Sequence, residues 1–268
     1  MNKGFSLNQA TTKRWPLDEL VAGCVAAGVP AVGLWREEVA EFGSDKAAAL
    51  IRDAGLAVSS LCRGGFFHEA DWYDDNRRAI EEAATLGTDT LVLVSGGLPG
   101  KSRDIDGARR HVSDAIGALV PDARAAGVRL AIEPLHPMFC SDRCVVATLG
   151  QALEIAAAHP SDAVGVCIDT YHLWWDDQVW DQIAAAGRAG RIAAFQLADW
   201  ITPLPAGVLL GRGMPGAGCV DLRRFATAVH DAGYRGYVEV EVFHEDVWSR
   251  PGPSVLAEAY AGYRAFAA

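Results

Sequence analysis

Short apolar runs recur along the chain, and each is followed by an alanine-rich stretch with a helical period. The runs fall at 4–8, 31–35, 57–62, 90–94, 128–133, 164–169, 192–197 and 237–243. They are continuous rather than alternating, as expected of strands covered on both faces of a parallel sheet. Amphipathic stretches over 17–27, 45–54, 73–86, 106–126, 149–159, 178–187, 222–232 and 255–266 predict the intervening helices. Ala-Gly pairs at 27–28, 54–55, 126–127 and 232–233 precede four of the strands, and glycine suits the left-handed position after a helix end. The strand–helix units number eight over 268 residues, or about 33 residues each, the size of a βα repeat with its loops. No Ser/Pro/Gly-rich tract divides them, and neither nucleotide-binding glycine fingerprint follows the first strand. The pattern predicts an α/β fold, a single-domain (β/α)8 TIM barrel over 1–268, rather than an open doubly wound sheet.

Composition narrows the partners. Half of the residues are hydrophobic and 22% are charged, which excludes a disordered chain. A net charge of −10 opposes binding of nucleic acid through its phosphates and of anionic membrane surfaces. No apolar stretch approaches the length of a membrane span. Residues 1–16 contain no apolar run of a secretory leader, so a cytoplasmic location is expected. The six cysteines are irregularly spaced and form no CxxC. They are expected to be reduced thiols, most of them acting as small hydrophobes within strands.

In a TIM barrel the chemistry stands at the C-terminal ends of the strands. There the fifth run ends in Glu133, the sixth in Asp169, the seventh carries Gln196, and the eighth contains Glu239 and Glu241. The first four end in Asn8, Trp35, Arg63 and Ser95, without a comparable acid. Any one of these acids alone could serve a salt bridge at a strand end. Several converging on one barrel mouth would repel one another or bind protons, and a divalent cation removes that cost. Glu133, Asp169, Gln196 and Glu241 form an all-oxygen set, which suits Mn²⁺ or Mg²⁺ better than Zn²⁺. Glu239 and Glu241 project to the same side. Glu241, nearer the strand end, is the expected ligand, and Glu239 is expected to bond Arg129 or another barrel residue.

The segments EPLHP (133–137), IDTYH (168–172), QLAD (196–199), GRGMPGAGCVDL (211–222) and EVEVF (239–243) resemble the sugar phosphate isomerase/epimerase group of the xylose-isomerase-like TIM-barrel superfamily. That group includes inosose isomerases, inosose dehydratases and ketose 3-epimerases. The resemblance covers essentially the whole chain and is strongest from 128 to 245. It implies one divalent metal, Mn²⁺ or Mg²⁺ with Co²⁺ as a further candidate, held by Glu133, Asp169 and Glu241. The family's strand-seven histidine stands in a His-x-x-Asp segment; here Gln196 takes its place and Asp199 is kept. Glutamine can ligate through its amide oxygen, but as a neutral and weaker ligand.

The implied reaction is isomerisation or epimerisation of a sugar, ketose or cyclitol through a metal-stabilised enediolate. Glu133 and Glu241 would be its acid–base pair. His172, the histidine of the D-x-x-H motif, could bond a substrate hydroxyl, as could His136; the alternative for each is a loop histidine bonded to backbone. Arg212 and Arg63 could meet a substrate oxygen, and Trp35 a sugar face. Phe66, Phe67, His68, Trp72, Trp174 and Trp175 are further candidates for shaping the pocket. Packing in a homo-oligomer interface is the alternative use of the tryptophans. No phosphate motif surrounds Arg63, Arg103 or Arg212, so a small non-phosphorylated sugar or cyclitol is expected. Two other readings share the site: a dehydratase (lyase) that expels a hydroxyl from the same intermediate, and a non-catalytic carbohydrate-binding barrel, suggested by Gln196. A repair endonuclease on the same barrel is opposed by the charge and by the absence of histidine at the third and fourth strand ends.

Overall fold

The computed structural model describes residues 3–205 and 208–268. The first strand, β1 (Gly4–Asn8), leads through a tight turn into α1 (Leu17–Ala26). β2 (Ala31–Trp35) is followed by two helices, α2 (Arg36–Phe42) and α3 (Ser44–Asp53). β3 (Ala57–Gly65) and α4 (Trp72–Leu86), β4 (Thr90–Val94) and α5 (Ile105–Ala126), and β5 (Arg129–Glu133) and α6 (Leu149–Ala157) repeat the unit. β6 (Val164–Asp169) carries a short α7 (Thr170–Leu173) ahead of α8 (Val179–Arg188). After β7 (Ile192–Leu197) comes an antiparallel pair, β8 (Asp199–Trp200) with β9 (Arg212–Gly213), and then α9 (Leu222–Asp231). β10 (Tyr237–Val240), α10 (Glu245–Trp248) and α11 (Gly252–Phe266) follow.

Eight of the strands close into a barrel in the order β1-β10-β7-β6-β5-β4-β3-β2. Every pairing in it is parallel, and β1 is bonded to β2 on one side and β10 on the other. The expected (β/α)8 architecture is therefore present. It departs from the sequence pattern in short extra elements, α2, α7, α10 and the β8–β9 pair, and at strand ends. α2 is extra: its seven residues bury Val39, too little apolar periodicity to stand out, and Gly43 at φ 95° separates it from α3. The last strand stops at Val240 rather than 243. Beyond it the Val242 amide donates to Thr11 Oγ1 at 3.0 Å, so a side chain replaces the ladder partner.

The main apolar layer lies between barrel wall and helices and includes Phe5, Leu20, Leu34, Ile80, Leu91, Phe195 and Phe225. Removing this surface from water supplies most of the drive to fold. Inside the barrel a second, smaller cluster joins Cys62, Val92, Ala131, Cys167 and Ala194. These small side chains leave the barrel axis room for polar groups above and below them. All six cysteines are free. Among the described residues no helix is long and apolar enough to cross a membrane.

Candidate active site

Parallel pairing brings three carboxyls to one end of the barrel. Glu133 closes β5, Asp169 closes β6, and Glu241 lies one residue past β10. Their exposures are 6%, 0% and 2%, so water screens none of them. The guanidinium of Arg212, supplied by β9, reaches in from the long connection after β7. Its Nη1 donates to Asp169 Oδ2 at 2.9 Å and to Glu241 Oε2 at 2.7 Å. Burial opposes the Arg212 charge, but Asp169, Glu241 and Glu133 outweigh it and hold the group protonated above the usual range. One cation thus serves three acids. Burial raises the Glu133 pKa well above the ordinary value, and repulsion from Asp169 and Glu241 adds to it. Burial also raises Asp169, against the pull of Arg212. Glu241 is pushed up to about 7 by burial, with Arg212 opposing and Asp169 and Glu239 reinforcing.

His172 stands against this group. Its Nδ1 accepts the His136 backbone N–H at 3.2 Å, and an amide can only donate, so Nδ1 carries no proton. Burial and the nearby Arg212 charge hold the ring well below its usual pKa. The neutral ring therefore bears its proton on Nε2. That N–H faces Asp169 Oδ2 at 3.8 Å, Glu133 Oε1 at 4.0 Å and Arg212 Nη2 at 3.1 Å. Two donors, on His172 and Arg212, converge with no acceptor between them, while Glu133 Oε1 is buried without a hydrogen-bond partner. An oxygen with lone pairs to offer, such as a carbonyl or hydroxyl, satisfies both donors at once.

Beneath this layer Glu239 is fully engaged. It accepts from Asn8 Nδ2 at 2.7 Å, Ser59 Oγ at 2.5 Å, Ser60 Oγ at 2.8 Å and Gln196 Nε2 at 3.0 Å. Gly33 makes room for it, since a Cβ there would lie 2.5 Å from Glu239 Cδ. Of the two expected alternatives, Arg129 or another barrel residue, the structure has the second. Arg129 instead donates to the Gly190 carbonyl at 2.6 Å. Gln196 is turned into this lower layer. Its Nε2 donates to Glu239, and its Oε1 accepts from the Cys167 thiol at 3.4 Å. The amide oxygen that was expected to reach a metal has its partner below the carboxylate layer.

A cavity of about 390 Å³ opens over the site. Of the expected residues, Trp35, Arg63, Glu133, His172, Arg212 and Glu241 line it. Asp169 lies just behind Arg212. His136 is not part of the lining; its ring packs on Trp200 and Trp175 at 5.0 and 5.6 Å, and its backbone orients His172. Trp175 donates to the His172 carbonyl at 2.7 Å. Phe67, His68 and Trp72 line a neighbouring cavity of about 440 Å³ instead, which corrects their expected place over the substrate. The cavity over the site also takes Arg143, Lys13, Cys62, Phe243 and Trp248, none of which stood out in the sequence. For Arg143 a signal was available, because it is the one Lys or Arg in the stretch 134–148 after the EP motif.

The residues fit a divalent cation on two observations. Glu133 Oε1 is an unpartnered buried acceptor, and carboxylate oxygens of Glu133 and Asp169 lie within 4.8 Å of each other. The acids whose pKa burial and repulsion raise are also those that a double positive charge would stabilise as anions.

Comparison with known proteins agrees with this architecture. The profile of the family described as "Xylose isomerase-like TIM barrel" matches residues 21–265. An inosose isomerase from Halalkalibacterium halodurans is 29% identical over 155 residues, 56% of this chain and 52% of that protein. The match thus spans about half the length of that relative. The crystal structure of a Sinorhizobium meliloti 1021 protein is 46% identical, with a TM-score of 0.95 over 99% of this chain and 98% of that one. The IOLI protein, solved with a bound zinc atom, superimposes with a TM-score of 0.82 over 98% of this chain and 97% of that one. At 21% identity this likeness speaks for the fold alone.

Proposed function

The chain belongs to the xylose isomerase-like TIM barrel family, and from that premise we propose a divalent-metal-dependent isomerase or epimerase acting on a sugar, ketose or cyclitol. The observation that carries this reading is the convergence of Asp169 and Glu241 on one buried guanidinium, with the unpartnered Oε1 of Glu133 and the two donors on His172 and Arg212 beside it. The substrate class named for the inosose isomerase relative supports it.

Glu133, Asp169 and Glu241 would hold the cation, Mn²⁺ or Mg²⁺, and its chemistry would be to draw electron density from the substrate carbonyl. Gln196 lies below as the residue that ties Glu239 to β7, in the place where the resemblance puts a histidine. His172 Nε2–H and Arg212 Nη2–H grip a substrate oxygen from one side. Glu133 and Glu241 come from β5 and from the end of β10, on different sides of the mouth. One removes the proton from the carbon beside the carbonyl, and the other returns a proton to the opposite face. The buried positions of both keep bulk water from competing for that proton. Trp35, held by its Nε1 donation to Asn8 Oδ1 at 3.0 Å, offers a flat apolar face to the sugar.

The test is proton exchange. The protein loaded with Mn²⁺ is incubated in D₂O with a panel of ketoses and inososes and followed by NMR. Deuterium entering at the carbon beside the carbonyl, together with an isomer or epimer, is the expected result. A panel without any exchange overturns the reading. Formation of a UV-absorbing enone would assign the same site to a dehydratase.

A further inference from the structure

One wall of the cavity carries charge that the proposed chemistry does not use. Arg63 at the end of β3 and Arg143 in the loop after β5 line it together with Glu133, Arg212 and Glu241. The Nε of each is shielded from solvent and has no hydrogen-bond partner; the same holds for the Nε of Arg129 and of Arg212, whose terminal nitrogens are engaged. Other shielded arginines are engaged. Arg36 pairs with Asp75 and Glu82, Arg212 with Asp169 and Glu241, and Arg191 with the carbonyls of Val164 and His159. Among the described residues neither Arg63 nor Arg143 has an ion pair of this kind.

Both are nevertheless held in place. The Arg63 guanidinium lies 3.8 Å over the Phe66 ring. The loop bearing Arg143 is pinned beside β4: Val145 donates to the Gly96 carbonyl at 2.9 Å, and Leu98 donates to the Ser141 carbonyl at 3.0 Å. Gly97 permits that approach, since a Cβ there would meet the Asp142 backbone at 2.6 Å. Burial lowers the Arg63 pKa, Glu37 acts against that, and the like charge of Arg143 lowers it further. Two guanidinium groups thus share one wall, and among the described residues no carboxylate lies within ion-pair distance of either. Both side chains are half-buried, and a fork of N–H donors matches the oxygens of a carboxylate or a phosphate.

We propose that Arg63 and Arg143 form an anion subsite, and that the substrate carries an acidic group, carboxylate or phosphate, at the end remote from the reacting carbon. This inference rests on the reading of the cavity as a substrate site. Glu133 and Glu241 line the same cavity around Arg212, with Asp169 behind it, and their negative charge turns the anion of an acidic substrate toward Arg63 and Arg143. A neutral polyol has no group with which to neutralise Arg63 and Arg143.

Calorimetric titration with D-gluconate, D-glucitol 6-phosphate and neutral D-glucitol tests the subsite. One of the two acids binds at least about tenfold more tightly than D-glucitol, a difference of about 1.4 kcal/mol, and the tighter one identifies the anion. Arg63→Gln and Arg143→Gln each cut that ratio by about fivefold or more, with circular dichroism confirming the fold. Arg143→Lys, which keeps the charge and loses the fork, retains part of it. Equal binding of the acids and D-glucitol, no binding of either acid, or a preference that survives both glutamine variants overturns the proposal. The exchange assay separates the two failures. If the isomerase reading alone is wrong, the acid preference persists while no ketose exchanges. If the anion subsite alone is wrong, neutral ketoses exchange as fast as their acidic counterparts.

Discussion

Arg212 Nη1 donates to Glu241 Oε2 at 2.7 Å, with the two side chains only 4% and 3% exposed. The pair is therefore nearly unscreened, and each partner is costly without the other. The same Nη1 serves Asp169 at 2.9 Å, so removing the guanidinium strands two acids.

Arg212→Met is accordingly expected to destabilise the metal-free protein by about 3–5 kcal/mol, the cost of breaking a buried pair from one side. Divalent cation should restore most of that loss, because it supplies the missing charge between the same carboxyls. Thermal melts in EDTA and in Mn²⁺ read this directly, with the variant showing a much larger metal-induced rise than the wild type. A variant as stable as wild type in EDTA would remove Arg212 from the role of counter-ion.

The pH dependence of stability follows from Glu241, whose pKa burial raises from 4.5 to about 7. In the metal-free protein the folded state keeps a proton there that the unfolded chain releases above about pH 4.5. The associated stabilisation is present below that value and is lost as pH rises through about 7. Its size is on the order of 3 kcal/mol. Burial raises Glu133 and Asp169 in the same direction. Urea midpoints in EDTA should fall across this window, and Glu241→Gln should flatten the fall. A midpoint that rises from pH 5 to 8 would refute the assignment.

Proton transfer by paired glutamates predicts that Glu133→Gln and Glu241→Gln each lower kcat by about 10³-fold, within the range for losing a general acid or base. The lower layer should behave differently. Gly33→Ala drives a Cβ against the Glu239 carboxylate and should cost about 1–3 kcal/mol of stability, as overpacking does. Melting temperature and turnover of the three variants distinguish the layers. Should Gly33→Ala melt like the wild type, Glu239 has room that its four hydrogen bonds do not suggest.

Much of this molecule is legible in one dimension. The strands Thr90–Val94, Val164–Asp169 and Ile192–Leu197 are uninterrupted runs at a fixed place in a repeating unit, so their ends and their terminal acids follow from the pattern. Contacts across the barrel do not. Asn8 meets Glu239 over a separation of 231 residues, and no local rule marks Asn8, Ser59 and Ser60 as its donors. Gln196 projects from a strand end next to Asp169 in register, yet its amide is drawn downward by an acid on the other neighbouring strand. Arg143 shows the same limit, since its loop takes its place only through pairing with the loop after β4.

Gln196→His tests what that amide does. The resemblance puts a histidine at this position, and an imidazole nitrogen is a stronger ligand to a divalent transition metal than an amide oxygen. The substitution also removes one of four donors from Glu239, which should cost about 1 kcal/mol of stability. If position 196 faces the metal in the loaded protein, Mn²⁺ binding measured by calorimetry should tighten by about tenfold or more, the equivalent of about 1.4 kcal/mol. The electron paramagnetic resonance spectrum of the bound ion should change with the added nitrogen. Unchanged affinity and an unchanged spectrum would leave Glu133, Asp169 and Glu241 as the metal's protein ligands and Gln196 as a support for Glu239 alone.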